Sequence, residues 1–395
     1  MIDLGNINLT EALESKIDRS KWKSFKFSDL VENIVEKVVP KNSGLKYYIG
    51  LEHLDSGSLK IKRFGETESL IGDKLKIYKG DLIFAKRNSY LKRVAIAEFD
   101  AVASAHSMVL RPKSKNVDPN FLPFFMMSEV FWKRAIEISV GSLSPTINWK
   151  TLAKQEFLLP PKAEQARLAE LLWAMDDVIE KEKIVLEKLI SIRHSLNEMH
   201  FINFKSSAKR IGEFAIKVGS GVTPSGGSKV YIEEGVIFIR SQNVLNGEFD
   251  FSEVVFISDS IDEKMSATRV LKDDVLLNIT GASIGRSSVY KINKRANVNQ
   301  HVCIIRCNDY LEPAFLCEFL NSKQGQNQID LYQAGGNREG LNFSNIRLMR
   351  IPDHDHESQK KLLLKYNSIT NSRDLSRAKI SASQSLQKSL INQIF

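Results

Sequence analysis

Residues 159–177 read LPPKAEQARLAELLWAMDD, and the organisation of the chain is decided here. Two prolines end what precedes them, because proline fixes φ and has no N–H to donate. Pro161 suits the first turn of a helix, where the missing N–H loses no partner. From Lys162 to Lys205 there is then no glycine and no proline. Apolar residues fall at Leu168, Leu171/Leu172, Met175, Val178/Ile179, Val185/Leu186, Leu189, Ile192, Leu196 and Met199. Steps of three and four make a helical seam. The spacing predicts a helix from about residue 163 to 200, ~55 Å long. A weaker stretch follows Pro352, with apolar residues at Leu362/Leu363, Tyr366, Ile369, Leu375, Ile380, Leu386, Leu390/Ile391 and Ile394, and a polar middle, SRDLSRAKISAS.

What flanks these stretches is duplicated. FSDL (27–30) and IGEF (211–214) are each followed ten residues later by a proline, Pro40 and Pro224. YIGLEHLDSG (48–57) lines up with FIRSQNVLNG (238–247), and KGDLIF (79–84) with KDDVLL (272–277). AHSMVLRP (105–112) lines up with QHVCIIRC (300–307), and TINWKTL (146–152) with GLNFSNI (340–346). The order is kept while the offset drifts only from 184 to 195, so the unit is a duplicated domain and not a solenoid repeat. Runs such as DLIFA, RVAIAEF, VIFIRS and DVLLNIT have strand character. PFFMMSEVFWKRAIE and EPAFLCEFLNSKQGQNQI have helical character. The expected fold class is α+β: two similar mixed domains separated by two long helices that pair as an antiparallel coiled coil, with pseudo-two-fold symmetry. The boundaries are 1–158, 159–204, 205–353 and 354–395.

Composition narrows the class. A chain of 395 residues that is 43% hydrophobic and 26% charged buries real cores and is not disordered. Its longest notable apolar run, FLPFFMM at 121–127, is far short of the ~20 residues that span a bilayer. The first residues have neither a basic nor an apolar leader segment. Three cysteines make no disulfide framework. These features point to a cytoplasmic protein. The net charge of +9 is concentrated: ten Lys/Arg against four Asp/Glu from Lys60 to Arg93, and four basic residues with no acid from Arg286 to Arg295. Such runs are either solvated surface or footprints on nucleic acid.

The run LPPKAEQARLAELLWAMDDVIEKEKIVLEKLISIRHSLNEMHF closely resembles the central helix of specificity subunits of type I restriction–modification systems. YIGLEHLDSGS, GSGVTPSGGSKVYIEEGVIFIRSQNVLNG and LLNITGASIGRSSVY resemble segments of their target-recognition domains. The resemblance implies that each domain reads one half of a split target on double-stranded DNA and that the helices set the spacing. It implies two docked modification subunits, which methylate adenine N6 with S-adenosylmethionine, and motor-nuclease restriction subunits. It implies no catalysis, metal or cofactor in this chain and no membrane. The partner-facing positions it suggests are Glu164, Gln165, Leu168, Leu172, Met175, Ile179, Leu186 and Leu189. In the second copy IPDHDHESQKK replaces the Pro-Pro start, with Glu357 opposite Glu164 and Gln359 nearby.

Base reading needs Arg or Lys for guanine and Asn or Gln for adenine, and phosphate contacts need cations. The first-copy candidates are Lys60, Lys62, Arg63, Lys86, Arg87, Asn88, Tyr90, Lys92 and Arg93. Those of the second are Arg240, Ser241, Gln242, Asn243, Arg286, Lys291, Lys294, Arg295, Asn337 and Arg338. His301, Cys303, Cys307 and Cys317 do not have the paired spacing of a zinc site, and GASIGR lacks the Gly-Lys-Ser/Thr ending of a phosphate loop. Two other readings are a self-contained nuclease or methyltransferase and a protein-binding adaptor with incidental basic charge. A subunit of another methyltransferase or restriction assembly is a further variant.

Overall fold

The computed structural model describes residues 19–202, 208–333 and 340–395. It contains two compact units. One comprises residues 1–183 and 378–395, the other 184–377. Two long helices, Lys162–Phe201 and His356–Ile394, each contribute one half to each unit.

The first unit has a four-stranded antiparallel sheet in the order Val31–Ile34, Ser107–Pro112, Leu82–Ala85, Val94–Ile96. The second unit repeats it with Ala215–Ser220, Val302–Cys307, Val275–Asn278 and Ser287–Val289. Beside each lies a mixed sheet with one parallel pair. Tyr47–Ile49 runs parallel to Ala101–Ala103, and Val236–Ile239 parallel to Ala296–Val298. A two-stranded ribbon closes each unit, Lys23–Lys26 with Glu156–Leu159 and Ala208–Arg210 with Arg350–Pro352. The strands that the sequence aligns are the strands that occupy equivalent places.

Equivalent side chains hold the two copies. Asp81 accepts both Nε (2.8 Å) and Nη2 (2.9 Å) of Arg111, and Asp274 accepts both from Arg306, each at 2.8 Å. Each carboxylate also accepts a backbone N–H three residues upstream, from Tyr78 or Leu271. A charge is tolerated at such depth because a bidentate guanidinium and an amide satisfy it.

The two expected helices after the sheets are each broken in two. Leu122–Met127 and Glu129–Glu137 are separated by Ser128, and Pro313–Asn321 and Lys323–Gln333 by Ser322. Both serines are buried. Their hydroxyls accept the N–H of Phe131 and of Gly325, respectively. A serine that caps a new first turn competes with continuing the old helix, which is why apolar periodicity alone runs the pieces together.

The long helices run antiparallel in each unit. In the first, Gln387 donates to the Leu172 carbonyl (3.3 Å) and Lys379 pairs with Glu182 (3.3 Å). Leu172, Ala169, Leu390, Ile391 and Ile394 enter one core with Phe125, Phe131 and Trp132. In the second, Arg193 donates to Thr370 Oγ1 (3.2 Å), and the Tyr366 hydroxyl bonds to Asn197. Leu362, Leu363 and Tyr366 join Phe315 and Phe319. The polar middle of the C-terminal helix keeps the seam with polar groups. Arg373 and Ser376 are buried there, while Leu375 and Leu386 point to solvent.

The helix starts correct one pairing. Gln165 accepts the Asp118 N–H (2.8 Å) and donates to the Pro160 carbonyl (2.9 Å). Gln359 accepts the Glu312 N–H (2.8 Å) and donates to the His354 carbonyl (2.8 Å). The equivalent residues are therefore Gln165 and Gln359. That register sets Ser358, not Glu357, opposite Glu164. The place of Pro161 goes to Asp355, whose carboxylate accepts the Ser358 N–H (2.8 Å). That bond holds the Asp355 carboxyl below the usual carboxylate range. A side-chain cap replaces a proline.

Candidate nucleic-acid interface

The connection between equivalent strands, residues 86–93 in one unit and 279–286 in the other, carries an exposed arginine in each, Arg87 and Arg286. In the first, the Lys86 carbonyl accepts the Ile147 N–H (2.8 Å). Asn88 and Lys92 both adopt positive φ, 55° and 47°, on either side of a turn at Ser89–Leu91. Asparagine enters that region readily and lysine does not, so the turn is shaped by its surroundings. Ser144 Oγ accepts from Arg87 Nε (2.8 Å) and donates to Asn88 Oδ1 (2.7 Å). Both terminal nitrogens of Arg87 stay open among the described residues. Tyr90 is 57% exposed. Lys86 is half-buried, and burial pushes its ammonium pKa down.

Other first-unit candidates are paired within the unit. Lys60 and Lys62 pair with Asp176 (3.8 Å) and Glu180 (2.9 Å) on the central helix. Arg63 pairs with Asp55, and Lys92 with Glu129. Arg93 donates to the Leu51 carbonyl at 2.6 Å. About half of the first basic run is thus neutralised internally, which a charge count does not reveal.

In the second unit the turn 281–285 needs its glycines. Gly281 and Gly285 have φ of 74° and 86°, and a Cβ at Gly285 would meet Gln326 at 2.5 Å. The turn leaves Arg286 exposed, with no side-chain partner among the described residues. Lys291 and Lys294 are exposed nearby in sequence. Residues 240–243 are mostly structural. Asn243 is fully buried, accepting the Arg240 N–H (2.9 Å) and donating to the Asp250 carbonyl. Arg240 donates to the Glu253 carbonyl (2.7 Å), and Gln242 to the Glu253 carboxylate (2.7 Å). Ser241 is half-buried beside them. Arg295 pairs with Asp259 and Asp262. Asn337 and Arg338 lie outside the described residues.

The suggested partner face is also corrected. Gln165, Leu172 and Ile179 are buried, and Glu164, Leu168, Met175, Leu186 and Leu189 are half-buried along the inward seam. Five exposed apolar residues of the same helix, Leu171, Val178, Val185, Ile192 and Met199, recur at seven-residue spacing, and Ile184 and Ile190 are exposed beside them. Leu171, Val178 and Val185 each directly precede an inward-facing apolar residue, so apolar periodicity alone merges the two seams.

No group of three or more His, Cys, Asp or Glu among the described residues is arranged to hold a metal. Cys303 and Cys317 are buried, and burial pushes both thiols up to about 12. No helix among the described residues is long and apolar enough to cross a membrane.

One buried acid in the second unit sets a pH test. Glu318 accepts Arg193 Nη2 (2.6 Å). Burial pushes its pKa up, opposed by Arg193. A carboxyl with a raised folded-state pKa binds its proton more tightly when folded, so stability falls as pH rises through that raised value. Glu318→Gln is expected to remove that fall, so that the thermal midpoint varies less with pH than in the native chain. A fall that persists in the variant would mean that Glu318 is not its source.

Comparison with known proteins gives a consistent picture. Residues 19–189 match the type I restriction modification DNA specificity domain. The type I restriction enzyme EcoDI specificity subunit of Escherichia coli is 29% identical over 172 residues, covering 41% of this chain and 37% of that protein. The MjaVIII specificity subunit of Methanocaldococcus jannaschii is 28% identical over 192 residues, 45% of this chain and 42% of that protein. The aligned stretch thus spans less than half of either relative. Among solved structures, the type I restriction–modification S subunit from M. genitalium superposes with a TM-score of 0.63 at 15% identity, over 97% of this chain and 98% of that one. A chain from a study of complex assembly and conformational transition of the type I system gives 0.59 at 16% identity, over 94% and 96%. At these identities the likeness is one of fold.

Proposed function

We propose that the chain is the DNA-reading, non-catalytic subunit of a modification complex, a reading supported by the match of residues 19–189 to the type I restriction modification DNA specificity domain and by the similar specificity subunits. Each unit reads one half of a bipartite target, and the paired helices set the spacing between the halves. The observation that carries this reading is positional. Open guanidinium donors, Arg87 in one unit and Arg286 in the other, occur in the same connection of a duplicated fold. Such donors neutralise phosphates or grip guanine.

The partners in this reading are two modification subunits. The exposed apolar seam Leu171, Val178, Val185, Ile192, Met199 supports a helical docking face, since a heptad-spaced apolar row is what a second helix packs against. Methyl transfer from S-adenosylmethionine to adenine N6 belongs to those subunits, and DNA cleavage to motor-nuclease subunits when they join. The deciding experiment maps methylated adenines across the genome with the gene intact and deleted. Loss of one bipartite motif on deletion is expected. An unchanged map in cells shown to express the modification subunit would overturn the reading in favour of a protein-binding adaptor.

A further inference from the structure

We propose that Leu143 is an apolar wedge that enters the base stack of the half-target read by the first unit, a role that rests on the DNA-reading function proposed above. Leu143 is 97% exposed. Single exposed leucines are ordinary on a protein surface; this one differs in how its loop is held. Val140 and Thr146 exchange two backbone hydrogen bonds, of 3.0 and 2.9 Å, which closes residues 140–146 into a hairpin. Gly141 turns it with φ 109°, and Thr146 Oγ1 donates to the Ser144 carbonyl (3.0 Å). The Ser89 N–H donates to the Pro145 carbonyl at 3.3 Å. Ser144, next to the leucine, bonds both Arg87 and Asn88. The tip is thus fixed to the two side chains best suited to reading base edges, and Tyr90 stands open in the same connection.

A leucine held out on a braced loop, beside unpaired cationic donors, is left 97% exposed by the described residues of its unit. Duplex DNA offers it the thymine methyls of the major groove and, as the larger apolar environment, the space between base pairs. Proteins that insert leucine or a similar side chain there unstack one step and bend the duplex, and gain contact area from the bend. Steps differ in how easily they unstack, so the wedge adds sequence preference without a hydrogen bond. Its occupant is double-stranded DNA; a protein subunit seated on the same tip is the competing outcome.

The test uses the chain assembled with its modification subunits and duplexes carrying 2-aminopurine at successive positions of the target. The native complex is expected to raise fluorescence at one step of one half-target. Leu143→Ala should abolish that rise and weaken binding about tenfold. The salt dependence should not change, since no charge is removed. A mismatch or abasic site at that step, already unstacked, should restore the variant to within about twofold of the native complex. The wedge is overturned if no step unstacks, if the variant binds like the native complex, or if the variant fails to assemble with the modification subunits. Failure of the underlying reading looks different: the native complex then prefers no sequence over any other, and the wedge falls with it.

Discussion

Arg306→Met is expected to lower the stability of the second unit by about 3 kcal/mol, the range for removing one partner of a buried ion pair. The size follows from what is left behind. Asp274 is 1% exposed while the Arg306 side chain is 28% exposed, so removal of the arginine strands the carboxylate with only the Leu271 N–H. Methionine keeps the volume of the stem, which separates the lost charge from lost packing. The same change at Arg111 should have a smaller effect, because that side chain is 43% exposed and water screens the orphaned Asp81 more readily. Hydrogen exchange of the strands Val275–Asn278 and Leu82–Ala85 reads the two units separately. Equal losses in both, or a loss in the second below about 1 kcal/mol, would show that the lock is neutralised by water and not by arginine.

That lock was in the sequence without being readable as one. KGDLIF and KDDVLL align, and so do AHSMVLRP and QHVCIIRC, yet no local rule says that Asp81 meets Arg111 across a sheet. The duplicated fold and its long helices were legible because periodicity and ordered repeats are local or cumulative signals. The interface was less legible. Charge density marks Lys60, Lys62, Arg63 and Arg87 alike, but three of the four are paired within the unit. Only the fold separates a cation that neutralises a neighbouring carboxylate from one that faces outward. Asn243 fails for the related reason that an amide ending a strand serves a buried turn as well as it serves adenine. The exposed seam lies one position from the inward one. Leu171 and Leu172 are neighbours in sequence and point about 100° apart on a helix, one outward and one into the core.

The glutamine at each helix start gives the second large effect. Gln165→Ala is expected to destabilise the first unit by about 2–4 kcal/mol, since it leaves the Asp118 N–H and the Pro160 carbonyl without their side-chain partner and each such group costs about 1–3 kcal/mol when buried. Gln359→Ala should match or exceed it, because that amide also donates to the Tyr310 carbonyl (3.0 Å). Gln165→Glu tests the direction of the bonds. The Asp118 N–H keeps an acceptor, but an ionised oxygen now faces the Pro160 carbonyl, so the glutamate variant should lie closer to alanine than to wild type at pH 7 and recover on acidification, when the carboxylic acid donates again. The consequence for function is mechanical. This clamp joins the first turn of a long helix to the loop that leads into the core helices of its own unit. In the DNA-reading and partner-docking role proposed above, that joint needs to be stiff. Denaturant titration of the three variants, with exchange of the Asp118 and Glu312 amides, measures it. A loss under about 0.5 kcal/mol for both alanine variants would mean that ordered water takes the place of the amide and that the joint is held by packing alone.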